Sequence, residues 1–365
     1  MTDRAVLIAA FLADAGLADA RVEPLPADAS TRSYARLSRE RRPSLILMNA
    51  PPVEDSPPCW PTATEAERLT AGYNATARLA ASRVHAFVAT SAWLRAQGLS
   101  APQVIAFDAE AGLAVIEDLG DGLFARLIED GAEARPFYEA AIDVLVHLHD
   151  TPAPDALPLP LHGGESWPLL SYDVLALKTG ADLFPVWQPT LSPSVKIDDE
   201  ALAQWQALWT PILTRGESGA TVFTHRDYHA ENLLWLPQRS GLARVGLLDF
   251  QDAVRGHPAW DMLHLLQDAR REVAPELETA MLERYLAARP HVDRDVFLSD
   301  YAAMATVNTA RLLGLFARLA VRDGKPRYLA FLPRMWRLLE RNLAHPDLAD
   351  LKAWFDRYAP AEVRA

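Results

Sequence analysis

Three oxygen-bearing side chains, Asp227, Asn232 and Asp249, are spaced so that they could do chemistry together. Asp227 lies in a polar stretch, THRDYHAEN over 224–232, and Asn232 follows five positions on. An apolar run at 233–236, a turn containing Pro237 and Gly241, and a second apolar run at 245–248 then lead to Asp249. Apolar runs of this length around a turn predict a β-hairpin. The hairpin would put Asn232 at the start of one strand and Asp249 at the end of the other, with both side chains over one point. An amide oxygen beside a carboxylate suits Mg²⁺, which takes hard oxygen ligands and borrows the rest from water and phosphate. Asp227, just before this pair, is placed to orient and deprotonate a hydroxyl.

The order of these residues fits the phosphoryl-transfer string H-R-D-x-x-x-x-N followed by a metal-holding Asp. His225, Arg226, Asp227 and Asn232 match it letter for letter, and LLDFQD at 247–252 stands where protein kinases carry D-F-G. One Asp between two strands would mean little; the ordered set carries the reading. His225 and His229 also have the four-residue spacing of a zinc pair on a helix. The segment reads as loop and no H-E-x-x-H glutamate lies between them, which disfavours a zinc hydrolase.

The rest of the chain has to position these groups. Its 365 residues suffice for two lobes with ample core, and half of them are apolar. No apolar stretch approaches the roughly 18 residues of a membrane helix, and the N-terminus lacks the basic start and cleavage site of a signal peptide. The single cysteine, Cys59, excludes an intrachain disulfide framework and fits a reducing, cytoplasmic setting. A net charge of −12 argues against nucleic acid as a partner.

Along the chain, residues 3–15 have helical periodicity, with Thr2 as N-cap and Gly16 past the end. Strands are expected at 22–25, 33–37, 44–48, 103–107 and 113–117. The loop of the first hairpin, PADASTR, has no glycine, but Ser30 and Thr31 add hydroxyl donors to its backbone amides. Residues 50–62 are Pro-rich and irregular, and 64–97 read as helical up to Gly98. At 117–121, EDLGD marks a hinge whose backbone from Glu117 to Leu119 could meet an adenine edge. Beyond it the chain is mostly helical, at 136–149, 168–177, 198–213 and, in four or five pieces, 259–358. Residues 151–168 read as loop and LFPVWQP (183–189) as a link. Trp167, Trp187, Trp205 and Trp209 are either core or a sugar-stacking wall, and core is the simpler reading for each.

The strings quoted resemble the aminoglycoside phosphotransferase and choline kinase superfamily, whose catalytic string is usually H-G-D-x-H-x-x-N. His225, Asp227, His229 and Asn232 match, with Arg226 replacing the Gly. DASTRSYARL (28–37), LILMNAPP (45–52), IEDLGD (116–121), DLFPVW (182–187) and LLDFQDAVRGHPAWDMLHLLQDAR (247–270) are most similar to bacterial kinases that phosphorylate N-acetylmuramate and N-acetylglucosamine at the anomeric hydroxyl. The resemblance implies an α+β, bilobal, protein-kinase-like fold. It would have a small β-sheet N-lobe (1–116), a hinge (117–121) and a large, mainly helical C-lobe (122–365). It implies ATP as donor, Mg²⁺, a small-molecule sugar acceptor, no membrane insertion and a place in peptidoglycan recycling. Asp227 becomes the general base, Asn232 and Asp249 the metal ligands, and His225, His229 and Asp261 the supports of the catalytic loop. Ser30, Thr31, Arg32, Met48, Glu117 and Leu119 become the nucleotide-binding residues.

Two departures stand out. The four lysines, at 178, 196, 325 and 352, leave none for the third strand, where most of the superfamily pairs the α/β-phosphates and where Met48 now sits. Phosphate charge would fall to the metal, the hairpin backbone and Arg32 or Arg36. Residues 61–82 look like an insertion, and a pairing Glu there (Glu65 or Glu67) has no obvious role. An aminoglycoside or other small-metabolite O-phosphotransferase is the alternative acceptor reading, and a nucleotide-binding pseudokinase is the reading outside enzymes.

Overall fold

The computed structural model describes residues 4–26, 32–51, 57–160 and 165–364. Ser30 and Thr31 therefore lie outside the described residues. Helix α1 (Arg4–Asp14) precedes β1 (Arg21–Pro24), β2 (Ser33–Ser38) and β3 (Leu45–Asn49). Next come α2 (Glu65–Ala71), α3 (Tyr73–Thr76), α4 (Val84–Ala96), β4 (Val104–Asp108) and β5 (Leu113–Glu117). Then follow α5 (Phe124–Glu129), α6 (Ala134–Asp150), β6 (Ala156–Pro158), β7 (Ser166–Pro168), α7 (Val174–Ala181), α8 (Leu183–Leu191) and α9 (Asp199–Ser218). Four short strands, β8 (Val222–Thr224), β9 (Leu233–Trp235), β10 (Val245–Leu247) and β11 (Val254–Gly256), lead to the helical end. That end comprises α10 (Ala259–Leu266), α11 (Pro275–Ala288), α12 (Arg294–Val321), α13 (Leu332–Leu343) and α14 (Ala349–Tyr358).

The chain divides into two compact units. The first takes Met1–Val144, Pro154–Leu170 and Ala230–Ala253; the second takes Leu145–Ala153, Ser171–His229 and Val254–Ala365. The first unit is built on a five-stranded antiparallel sheet in the order β1-β2-β3-β5-β4. Leu37, Leu47, Leu113 and Val115 bury one face of it against Leu12 of α1 and Leu17. Period-two alternation along β2 (Ala35 and Leu37 in, Arg36 between them) produces that face. The hairpin β9–β10 belongs to this unit too.

The second unit is organised around α12, whose 28 residues are buried along most of their length. Helices α7, α8, α10 and α13 pack on it. Gly314 permits the approach of α8, because a Cβ there would lie 2.1 Å from the Leu183 carbonyl carbon. Phe184, Trp205, Trp354 and Phe355 form an aromatic core, and the Trp205 indole N–H donates to Asp182 Oδ1 at 2.9 Å. Trp205 and Trp209 are thus core residues, not a wall for a ligand.

Three expectations change. The stretch 64–97 is not one helix. A Thr64/Glu67 capping box starts α2 well, but Gly72 at φ 96° ends it, and positive φ at Arg78, Ala81 and Ser82 breaks the chain again before α4. LFPVWQP is helical: Pro185 sits at the third position of α8, where an N–H has no intrahelical acceptor, and Pro189 lies in its last turn. The Pro-rich loop at 151–168 contains the short hairpin β6–β7. Among the described residues no helix is long and apolar enough to cross a membrane.

Candidate active site

In the second unit, β8 pairs antiparallel with β11, Thr224 opposite Val254, and delivers the chain to His225. The N–H groups of His225 and Arg226 donate to the two oxygens of Asp261, at 2.6 and 2.8 Å. Asp261 is fully buried in the first turn of α10, where the free amides of a helix start favour a carboxylate. Burial nevertheless pushes its pKa up to about 7, against the pull of the two amides and with the Asp227 charge adding to the rise. This clamp fixes the loop by its main chain.

Arg226 has φ 82°, a region where a Cβ is strained and glycine is at ease. That explains why the superfamily string has Gly at this place. Here the Arg226 guanidinium lies 4.6 Å above the Tyr172 ring, a cation–π contact that offsets part of the strain. Asp227 follows with its side chain 37% exposed, so its carboxylate is open to a reactant. Its amide N–H donates to His225 Nδ1 at 3.3 Å, which ties the loop to the buried His225 ring. His229 Nε2 lies 3.5 Å from Arg270 Nη1.

Sequence reasoning missed His264, one turn beyond Asp261 on α10. Its Nδ1 is 4.0 Å from Asp227 Oδ1. Burial first, and then the nearby Arg311, hold this imidazole well below its ordinary pKa, so it is neutral. The i, i+3 relation of Asp261 and His264 was its only signal.

In the first unit, the register Leu247 with Leu233 places Leu248 opposite Asn232, whose carbonyl accepts the Leu248 N–H at 2.9 Å. Asn232 and Asp249 thus flank the same end of the hairpin, as the sequence predicts. Asp249 has φ 60°, and its Oδ1 accepts from Arg32 Nη2 at 2.6 Å and Gln251 Nε2 at 3.0 Å. Asp252 accepts the Ala80 N–H at 2.6 Å, anchoring the turn from its other side. Burial works against the Arg32 charge, but Tyr34, Asp249 and Asp252 more than offset it, and the guanidinium stays cationic.

The remaining expected residues lie in the sheet and after it. Met48 is fully buried between Tyr34 and Ala114 in the register. Arg36 is engaged elsewhere: it bonds Asp118 Oδ2 and Asp121 Oδ1, both at 2.7 Å. Asp118 also accepts the Ser44 hydroxyl at 2.7 Å. Burial opposes its charge, and Ser44, the Gly120 amide and Arg36 overcome this to hold its pKa below the usual range. The Glu117 carboxylate pairs with Arg239 at 2.5 Å and Arg95 at 3.3 Å. Leu119 is half-buried in the segment these pairs pin.

A hard cation fits the hairpin end. The donors are an amide and a carboxylate, and that carboxylate already faces the positive charge of Arg32. Among the described residues no group of three or more His, Cys, Asp or Glu could hold a metal ion.

The residue types at these two places are those of kinase-like phosphoryl-transfer proteins. The chain belongs to the phosphotransferase enzyme family, whose profile matches residues 21–305. It is 57% identical over 363 residues to the N-acetylmuramate/N-acetylglucosamine kinase of Caulobacter vibrioides, covering 100% of this chain and 99% of that one. Its fold is similar to that of an aminoglycoside 2′-phosphotransferase-IIIa variant in its GDP complex (TM-score 0.55, 14% identity, 95% of this chain and 100% of the other). It is also similar to that of a Plasmodium vivax ethanolamine kinase (TM-score 0.53, 10% identity, 94% and 85%). The small antiparallel sheet and the helical remainder are those of the protein-kinase-like fold.

Proposed function

We propose that this protein transfers the γ-phosphoryl of ATP to the anomeric (C1) hydroxyl of N-acetylmuramate and N-acetylglucosamine, in the cytoplasmic recycling of peptidoglycan sugars. The observation that carries the reading is the clamped loop. Two backbone amides bonded to buried Asp261 hold the half-open carboxylate of Asp227 in a chain of this family. The full-length likeness to the Caulobacter enzyme supports the choice of acceptor.

Asp227 accepts the proton of the attacking hydroxyl and aligns its oxygen. The demand on this base is mild, because an anomeric hydroxyl is more acidic than an ordinary alcohol. His264, neutral and adjacent, adds no positive charge that would quench the Asp227 carboxylate. Asn232 and Asp249 would hold Mg²⁺, which neutralises charge developing on the transferring phosphoryl group. Arg32, already cationic beside Asp249, takes the phosphate-facing role left open by the missing lysine. The backbone of 117–119, pinned by the Arg36–Asp118 and Arg239–Glu117 pairs, meets the adenine.

The test is phosphate transfer from labelled ATP to both sugars, with the new phosphate placed by ³¹P–¹H NMR, beside a kanamycin arm. C1 phosphorylation that disappears in Asp227→Asn while ATP still binds is expected. Full turnover in that variant, or transfer to kanamycin alone, would overturn the reading.

A further inference from the structure

The segment at 61–82, which the sequence marks as an insertion, reaches the turn that carries Asp249. Within the first unit, the Ala80 N–H donates to Asp252 Oδ1 at 2.6 Å, across 172 positions of sequence. Just beyond, Phe87 of α4 stacks on Phe250 with ring centroids 4.8 Å apart, and both rings are buried. Phe250 and Asp252 alternate with Asp249 and Gln251 along the turn, so the chain at 80–87 grips it at two places. The buried Gln251 completes the connection: its Nε2 donates to Asp249 Oδ1 at 3.0 Å and, at 3.4 Å, to Asp252 Oδ2.

The Ala80 end of this connection is itself held fast. Arg78, Ala81 and Ser82 have φ of 57°, 52° and 60°, so three of the five positions at 78–82 are non-glycine residues in the left-handed region. Such strain persists only where the surroundings over-determine the backbone. They do so here. The buried Arg68 donates from Nε to the Ala75 carbonyl at 3.3 Å and from Nη2 to the Thr76 carbonyl at 2.9 Å. Arg78 Nη1 donates to Cys59 Sγ at 3.0 Å, and the Leu79 N–H to the Asn74 carbonyl at 2.8 Å. Asp249, at φ 60°, carries the same kind of strain at the other end. Its carboxylate keeps one direction only while the turn is held.

We propose that Asp252 is a positioning residue for Asp249: through the Ala80 amide it fixes the turn, so that the Asp249 carboxylate exchanges Arg32 for a divalent cation while the turn stays in place. This rests on the reading that Asn232 and Asp249 hold the metal, and adds to it the part of the chain that aims one of the two ligands. Mg²⁺ demands near-ideal geometry at short oxygen distances, so a ligand free to swing binds it poorly. The insertion thus acts through its main chain at 80, while its Glu67 is taken up by the capping box of α2.

The experiment measures Mn²⁺ binding by electron paramagnetic resonance at a saturating non-hydrolysable ATP analogue, with the full chain and its Asp252→Asn and Asp252→Ala variants. Asp252→Asn keeps an oxygen for the Ala80 N–H and gives up the charge; Asp252→Ala gives up both. Asp252→Ala is expected to weaken Mn²⁺ binding at least about tenfold, and Asp252→Asn to stay within about threefold of wild type. In turnover with Mg²⁺, the apparent KM for the metal in Asp252→Ala rises by a larger factor than kcat falls, a split that a merely structural loss would not produce. Equal losses in the two variants would make Asp252 a source of charge or a direct ligand and overturn the proposal. So would an Asp252→Ala affinity within about threefold of wild type. A wild type that binds no Mn²⁺ beyond that held by the free analogue would instead overturn the metal reading beneath it. Should Asp252→Ala fail to fold, the near-isosteric Asp252→Leu takes its place beside Asp252→Asn.

Discussion

The loop carrying Asp227 and the turn carrying Asp249 each present one carboxylate, but they are held in opposite ways. The Asp227 loop is fixed through its main chain, by two amides on a fully buried acid. Asp249 is held through its side chain, by a cation, with the acid 36% exposed. A base that must meet a hydroxyl in one geometry gains from the first arrangement, because the clamp is made by the main-chain amides of its two neighbours. A carboxylate that is to accept a metal gains from the second, because Arg32 keeps it compensated until another cation arrives. The difference teaches that rigidity at such a site resides in backbone hydrogen bonds, and exchangeability in side-chain ion pairs.

Breaking the clamp has the largest expected effect. Asp261→Ala leaves two buried amides without an acceptor, at a cost of roughly 2–5 kcal/mol, and turnover is lost along with the fold. Asp227→Asn separates the two: unfolding by urea changes by less than about 0.5 kcal/mol, while kcat falls about 10²–10⁴-fold. If Asp261→Ala unfolds like the wild type, the contrast between main-chain and side-chain anchoring is wrong.

Next in size is the ion pair. Arg32→Gln removes the cation from Asp249, and its KM for ATP is expected to rise about tenfold if a charge-assisted phosphate contact is lost. Mn²⁺ titrated without nucleotide should bind this variant more tightly than the wild type, since Asp249 has shed a competitor. Weaker Mn²⁺ binding in Arg32→Gln would show that the pair builds the site and does not guard it.

A smaller, pH-linked effect distinguishes buried from exposed groups. Burial holds His149 and His264 neutral, with pKa values well below the ordinary 6.5. The unfolded chain takes up these protons below about pH 6.5 and the native state does not, so this stability is present above that pH and lost as pH falls. Asp261 acts in the other direction. Its native pKa of about 7 lies above the unfolded 3.8, so its contribution is complete below about pH 4 and lost as pH rises through 7. Two protons against one leave a net loss on acidification that steepens from a few tenths of a kcal/mol per pH unit near pH 6.5 to about 1.4 kcal/mol per pH unit near pH 5. Calorimetric midpoints across that range check it, and a midpoint that rises on acidification would contradict the neutral histidines.

Much of this was legible beforehand, for a physical reason. A phosphoryl-transfer loop needs particular side chains at fixed spacing, so Asp227, Asn232 and Asp249 announce themselves, and two apolar runs around a turn admit few alternatives to a hairpin. What stayed hidden depends on tertiary context. Periodicity cannot show that Arg78, Ala81 and Ser82 adopt positive φ, so 64–97 reads as one Ala-rich helix. Pro185 and Pro189 disguise α8 because a scan penalises proline without knowing which N–H groups lack acceptors. Arg36 reads as a phosphate ligand until the fold brings it to Asp118 and Asp121. His264 is a lone histidine on an apolar helix, a pattern that usually means core, and only the proximity of Asp227 gives it interest.

The smallest expected effect probes a feature the two loops share, a non-glycine residue at positive φ: Arg226 at 82° and Asp249 at 60°. A Cβ in that region costs about 1–2 kcal/mol. At Arg226 the stack on Tyr172 returns about 0.5–1 kcal/mol. Arg226→Gly relieves the strain, loses the stack and adds chain entropy to the unfolded state, and these nearly cancel, leaving stability within about 1 kcal/mol of wild type. Arg226→Ala keeps the strain and loses the stack, so it is the less stable variant. Both retain the 226 amide and hence the bond to Asp261, so both keep turnover. The order Arg near Gly, then Ala, is read from urea midpoints. If Ala matched or exceeded Gly, positive φ at 226 would carry no strain, and the idea that the stack on Tyr172 offsets such a strain would fall.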